Sequence, residues 1–114
     1  MKLFGIKNCD TVRKARRWLD GQQITYEFHD FRADGLDEAT IQRWLQSVSW
    51  EQLLNKRGTT WRQLNDPRKD TLDQNAAIAL MLAHPTLIKR PVIEDGHGVS
   101  VGFSEPDFQA RYAT

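Results

Sequence analysis

Cys9 is the single cysteine in a chain of 114 residues. It follows a short apolar run, Leu3-Phe4-Gly5-Ile6, and precedes a stretch with helical spacing. A thiol reacts as its thiolate, and the free group titrates at about 8.5. Three features of the local sequence favour the thiolate. A helix starting just after Cys9 would aim its unpaired N–H groups and dipole at the sulfur. Lys7, Arg13 and Lys14 are close in sequence. A strand-loop-helix order also puts the sulfur at the carboxyl edge of a strand, where open α/β sheets hold their ligands. Asp10 opposes ionisation, unless it turns into the helix as a cap. The plain alternative is a small buried filler residue, and the local sequence leaves both readings open.

Two further groups could do chemistry. In Leu87-Ile-Lys-Arg-Pro-Val-Ile93, Pro91 opens a strand and is a candidate cis peptide, or an ordinary strand-start proline. Arg90 offers a fork of donors suited to an oxyanion or carboxylate, or else is a solvated charge. Asn55-Lys56-Arg57-Gly58, followed by Arg62, is a basic cluster beside a glycine. It could bind an anion. Taken alone, it reads better as a helix C-terminus with favourable cations and a glycine cap.

The elements that position these groups follow from periodicity. Residues 2–6 read as a buried strand. Asp10 or Thr11 is the expected N-cap of a helix whose Val12, Ala15, Trp18 and Leu19 share one face, with Gly21 at its end. Residues 24–28 alternate and predict a second strand, completing a right-handed βαβ unit. The middle is helical. Asp37 caps a segment carrying Ile41, Trp44, Leu45 and Val48; Trp50–Leu54 forms a short turn; Thr59 or Thr60 caps another piece. Asp66-Pro67 is a break. Asp73 or Thr71 starts a helix with Ala76, Ala77, Leu80, Met81 and Ala83 on or near one face, ended by His84-Pro85. Residues 91–94 and 99–103 flank Asp95-Gly96-His97-Gly98, a hairpin signal resting on residues that accept positive φ. Glu105–Tyr112 is a terminal helix with Pro106 in its first turn. The expected fold is α/β, with a mixed four-stranded sheet and a helical insert at about residues 36–70 between βαβ and ββα halves, all in one domain.

Composition narrows the function classes. Net charge is +1 and pI about 7.9, so no global basic field asks for nucleic acid. No run approaches the roughly 18 apolar residues of a membrane span. His29, His84 and His97 share no zinc-ligand spacing with Cys9. One cysteine makes no internal disulfide, and Lys2 and Lys7 interrupt the only apolar run near the start. The expectation is a monomer of the reducing cytoplasm, with neither nucleic-acid nor membrane partner.

Cys9 at a strand-to-helix turn, the inserted helices and Leu87–Pro91 together resemble the ArsC/Spx/YffB family of thioredoxin-fold proteins, which includes glutaredoxin-linked arsenate reductases. The likeness runs nearly the full chain. It is strongest to the YffB-type branch, through Gly5-Ile-Lys-Asn-Cys-Asp-Thr-Val-Arg-Lys14, Leu54-Asn-Lys-Arg-Gly-Thr-Thr-Trp61 and His84-Pro-Thr-Leu-Ile-Lys-Arg-Pro91. The resemblance implies a bacterial thiol reductase with Cys9 as nucleophile, Arg90 facing the sulfur, and a cis Pro91. It implies no permanently bound cofactor, glutathione as cosubstrate, and glutaredoxin as a possible redox partner. Lys7, Asn8, Arg57, Arg90 and Pro91 are the expected glutathione contacts.

The departures rank the alternatives. Of the three arginines that hold the oxyanion in arsenate reductases, one matches Arg90. Asn55 stands at the second position, and Gly102-Phe103 at the third. Arsenate reduction is therefore the second reading. A non-catalytic, Spx-like protein-binding regulator is the third, because Val12 replaces the second cysteine of a Cys-x-x-Cys switch.

Overall fold

The computed structural model describes residues 1–113. Its strands are β1 (Lys2–Gly5), β2 (Glu27–Asp30), β3 (Val92–Asp95) and β4 (Gly98–Val101). They form one sheet of order β2-β1-β3-β4. β1 pairs with β2 in parallel, with Leu3 opposite Phe28 and Gly5 opposite Asp30. It pairs with β3 antiparallel, with Phe4 opposite Val92, and β3 pairs antiparallel with β4. This is the mixed four-stranded sheet that the element order predicts. Leu3, Phe4 and Gly5 are all buried, as expected of a central strand covered on both faces.

Two compact units divide the chain: Met1–Gly35 with the segment from Arg90 onward, and Leu36–Lys89. In the first, α1 (Asp10–Gly21) joins β1 to β2. Val12, Ala15 and Leu19 are fully buried, and with Leu3, Ile93 and Phe108 they form the core of this unit. Trp18, predicted on the same face, is half-buried and meets the Phe108 ring edge-on, 5.6 Å between centroids. The short α2 (Phe31–Asp34) follows β2. The last helix, α7 (Glu105–Tyr112), has the predicted bounds; Ser104 caps it by accepting the Asp107 N–H.

The second strand begins later than predicted, and the end of α1 explains why. Gln23 donates to the Asp20 carbonyl and Ile24 to the Leu19 carbonyl, each at 3.0 Å. Gln23 adopts φ 59°. This paired closure through a left-handed residue occupies residues 22–24, so Ile24 and Tyr26 pack on the core from the connection. The left-handed position falls on Gln23, with Gly21 still helical. The β3–β4 turn falls where the sequence predicts it. Its positive φ, 123°, lies at Gly98, the first residue of β4, while Asp95 Oδ1 accepts the His97 N–H at 2.8 Å to close the turn.

The second unit is helical: α3 (Glu38–Trp44), α4 (Trp50–Leu53), α5 (Thr59–Gln63) and α6 (Gln74–Ala83). Asp37 and Asp73 cap α3 and α6 as predicted. Ser49 and Gln52 form a reciprocal capping box on α4. The N-cap of α5 is Gly58, one residue before the predicted threonines. In α6 the buried residues are Ala77, Ile78, Leu80 and Met81, with Ala76 half-buried and Ala83 exposed.

Candidate thiol site

β1 ends at Gly5, and Ile6-Lys7-Asn8 carries the chain to Cys9, which is itself the N-cap of α1 (φ −118°, ψ 123°). Its carbonyl accepts the Arg13 N–H at 2.9 Å. An N-cap residue ordinarily presents a side-chain oxygen to the N–H groups two and three positions on. Here those N–H groups belong to Thr11 and Val12; the Cys9 sulfur makes no cap hydrogen bond to them, but both point their dipoles to its side and favour its ionised form. The expected cap by Asp10 or Thr11 is therefore corrected. Asp10 is the first helical residue, and its carboxylate pairs with the Arg13 guanidinium.

The electrostatics of the sulfur follow. Burial pushes the thiol up. The Val12 N–H, the hydrogen bond and charge of Arg90, and the Thr11 N–H outweigh it, and hold Cys9 below the ordinary thiol range. A thiolate is a stronger acceptor than a thiol, so each of these donors favours ionisation. Cys9 is half-exposed, which leaves it open to a reactant. The cation with the largest effect on it is Arg90, from the far end of the chain.

Arg90 is half-buried, and the peptide bond joining it to Pro91 is cis. Pro91 is buried. Its carbonyl accepts the Gly102 N–H at 2.8 Å. Gly102 has φ 86°, a conformation glycine adopts without steric cost. Lys7 and Asn8 are exposed beside Cys9.

Arg57 lies in the second unit, exposed, its N–H donating to Asn55 Oδ1 at 3.0 Å. The reading of this basic cluster as a helix C-terminus is corrected. α4 ends at Leu53, and Gly58 begins the next helix.

Sequence reasoning missed Asp30. It is 6% exposed, the one buried polar or charged residue among those described. Oδ1 accepts the N–H groups of Arg32 and Ala33, capping α2, and Oδ2 accepts the Lys7 N–H. The available signal was a carboxylate at a strand end followed by a short polar segment, the pattern of a helix cap. Nothing local showed its second bond. Among the described residues no group of three or more His, Cys, Asp and Glu is placed to hold a metal ion. No helix among the described residues is long and apolar enough to cross a membrane.

Comparison with known proteins adds to this geometry. The model of the ArsC family matches residues 4–111. Among solved structures, the YffB protein is 46% identical with a TM-score of 0.93, covering 98% of this chain and 98% of that one. An arsenate reductase related protein from Brucella melitensis is 45% identical with a TM-score of 0.79, covering 99% of this chain and 94% of that one. The global transcriptional regulator Spx of Streptococcus mutans is 27% identical over 110 residues, 95% of this chain and 80% of Spx.

Proposed function

The chain belongs to the ArsC family, and from that premise we propose a glutathione-dependent thiol–disulfide reductase with Cys9 as its single nucleophile. The observation carrying this reading is the half-exposed sulfur at the N-cap of α1, where the Thr11 and Val12 N–H groups and Arg90 lower its pKa. That is the environment of an activated thiolate.

The Cys9 thiolate attacks one sulfur of a disulfide. A new S–S bond forms to Cys9, the old S–S bond breaks, and the leaving thiolate takes a proton from water. A glutathione thiolate then displaces the remaining substrate thiol from the Cys9 sulfur, leaving glutathione on Cys9. A second glutathione attacks the glutathione sulfur, forms oxidised glutathione and restores the Cys9 thiolate. The substrate disulfide gains two electrons, and two glutathiones lose them. Both resolving thiols come from outside, because the chain has no second cysteine. Arg90 steadies the thiolate each time it leaves or re-forms. Pro91 walls that side, and the exposed Lys7 and Asn8 are our candidates for meeting the glutathione carboxylates.

The second reading, arsenate reduction at the same thiol, is favoured by Arg90 beside the sulfur and by likeness to the Brucella melitensis protein. Two measurements separate the readings. The first is the rate at which iodoacetamide alkylates Cys9 against pH, read by intact mass. The second is turnover of hydroxyethyl disulfide and of arsenate with glutathione. Fast alkylation titrating below the free-thiol range, with disulfide turnover abolished in Cys9→Ser, is the expected result. Arsenate turnover in place of disulfide turnover moves the second reading ahead. Alkylation that rises only at alkaline pH, with no turnover, overturns both and favours a binding protein of the Spx kind.

A further inference from the structure

Lys14, Arg17 and Trp18 of α1, with Phe103 from the connection between β4 and α7 and Glu105 at the start of α7, line an open groove of about 330 Å³. We infer that this groove is the substrate side of the thiol site. It takes the half of a disulfide that becomes bonded to Cys9, in the form of an apolar or aromatic body carrying a carboxylate. The inference rests on the thiol-reductase reading and names its substrate class.

The floor is built for an apolar body. Trp18 and Phe103 are half-buried, and both pack against the core of the unit. Each meets Phe108 edge-on, at 5.6 and 4.6 Å between centroids. The rings are thus held from behind, and binding costs little side-chain entropy. The wall is cationic. Lys14 and Arg17 are three positions apart, on one side of α1, and Glu105 is the single opposing charge. The balance favours one carboxylate.

The groove also has a fixed relation to the sulfur. An α-helix rises about 1.5 Å per residue, which puts Lys14 and Arg17 about 7.5 and 12 Å along α1 from Cys9. Phe103 follows Gly102, whose N–H bonds the carbonyl of Pro91, the residue after Arg90. Both walls are therefore tied through the chain to residues of the thiol site, one through α1 and the other through Gly102 and Pro91. A ligand with its sulfur on Cys9 and its body along α1 reaches Lys14 first, then Arg17 and the Trp18 ring about one residue further on.

The test uses two chromogenic disulfides on glutathione-free protein. Dithiobis(nitrobenzoate) carries a carboxylate on each ring, and dithiodipyridine carries none. In either case the Cys9 thiolate attacks one sulfur, releases one aryl thiolate that is read by absorbance, and keeps the other aryl thiol in a mixed disulfide. Rates are divided by the iodoacetamide rate of the same protein. The expected result is that Lys14→Gln/Arg17→Gln slows the carboxylate disulfide about tenfold relative to dithiodipyridine, with the wild-type preference shrinking as salt rises. Phe103→Ala slows both aryl disulfides but not hydroxyethyl disulfide. Phe103→Leu, which keeps an apolar filler, does the same if Phe103→Ala fails to fold. Relative rates within about twofold of wild type in the charge and Phe103 variants overturn the groove, on the scale expected of exposed charges without a bound partner. Free-thiol behaviour of wild-type Cys9 toward iodoacetamide overturns the reductase reading instead.

Discussion

Asp30 Oδ2 accepts the backbone N–H of Lys7 at 3.2 Å, fastening the end of β2 to the loop that presents Cys9. The same carboxylate caps α2 through Arg32 and Ala33. One buried side chain thus holds two backbone segments. Burial pushes the Asp30 carboxyl up, but the N–H groups of Arg32, Lys7 and Ala33 and the Lys7 charge bring it below its ordinary value.

Asp30→Asn turns one acceptor oxygen into an amide that faces a backbone donor. We expect a loss of about 1–3 kcal/mol of stability, measured by chemical denaturation at neutral pH. Removing a negative charge would, by relief of Coulomb repulsion alone, favour the Cys9 thiolate. We expect the opposite, a raised Cys9 pKa, because the loop loses its anchor. A lowered pKa would show that Asp30 acts by charge and not by position. In the wild type, the folded-state pKa of Asp30 is depressed. Its stabilisation is therefore fully present above the unfolded value of about 3.9 and is lost as pH falls through the folded one.

Arg90→Ala removes both a hydrogen bond and a positive charge from the sulfur. The alkylation profile of Cys9 should move to higher pH, toward the free thiol. The folded thiol is depressed, so its contribution to stability is complete above the unfolded pKa of about 8.5 and disappears as pH falls through the folded value. The stability gap between wild type and Cys9→Ser should accordingly narrow on acidification. An unchanged alkylation profile in Arg90→Ala would remove Arg90 from the site.

Gly5 lies where α1 crosses closest to β1. A Cβ there would sit 2.7 Å from Val12 Cγ2, inside contact distance. Gly5→Ala should destabilise by about 1–3 kcal/mol through overpacking. Gly5→Ala/Val12→Ala should be less damaging than the two single changes added, by about 0.5 kcal/mol or more. Strict additivity in denaturant titrations would place the cost elsewhere.

Gln23 is the one non-glycine residue with positive φ among those described. A side chain in that conformation costs about 1–2 kcal/mol, part of which glycine returns as unfolded-chain entropy. Gln23→Gly should raise stability by about 0.5–1 kcal/mol, leaving thiol reactivity unaltered. A fall in the melting temperature would show that the Gln23 side chain contributes contacts of its own.

Much of the molecule was legible along the chain. The buried face of α1, the caps Asp37 and Asp73, the bounds of α7 and the β3–β4 hairpin all depend on interactions within about four residues. Such patterns are written directly in residue type and spacing. So was the thiol, because a cysteine just before a helical stretch is a local fact. Local signals could also mislead. Gly21 does end α1, with the left-handed residue two positions on at Gln23, but Gly58, read as closing a helix, is the N-cap of the next one.

What the tertiary structure decided was which distant groups meet. The pairing of Phe4 with Val92 in the antiparallel β1–β3 ladder brings Arg90-Pro91 level with the loop leading to Cys9. The parallel match of Gly5 with Asp30 does the same for the Lys7 anchor. A register is set by which side chains are buried along β1, from Leu3 to Gly5, and no window of sequence around Cys9 contains that information. The chain by itself supplied a cysteine at the start of a helix; the sheet supplied the arginine that lowers its pKa and the aspartate that anchors the loop before it.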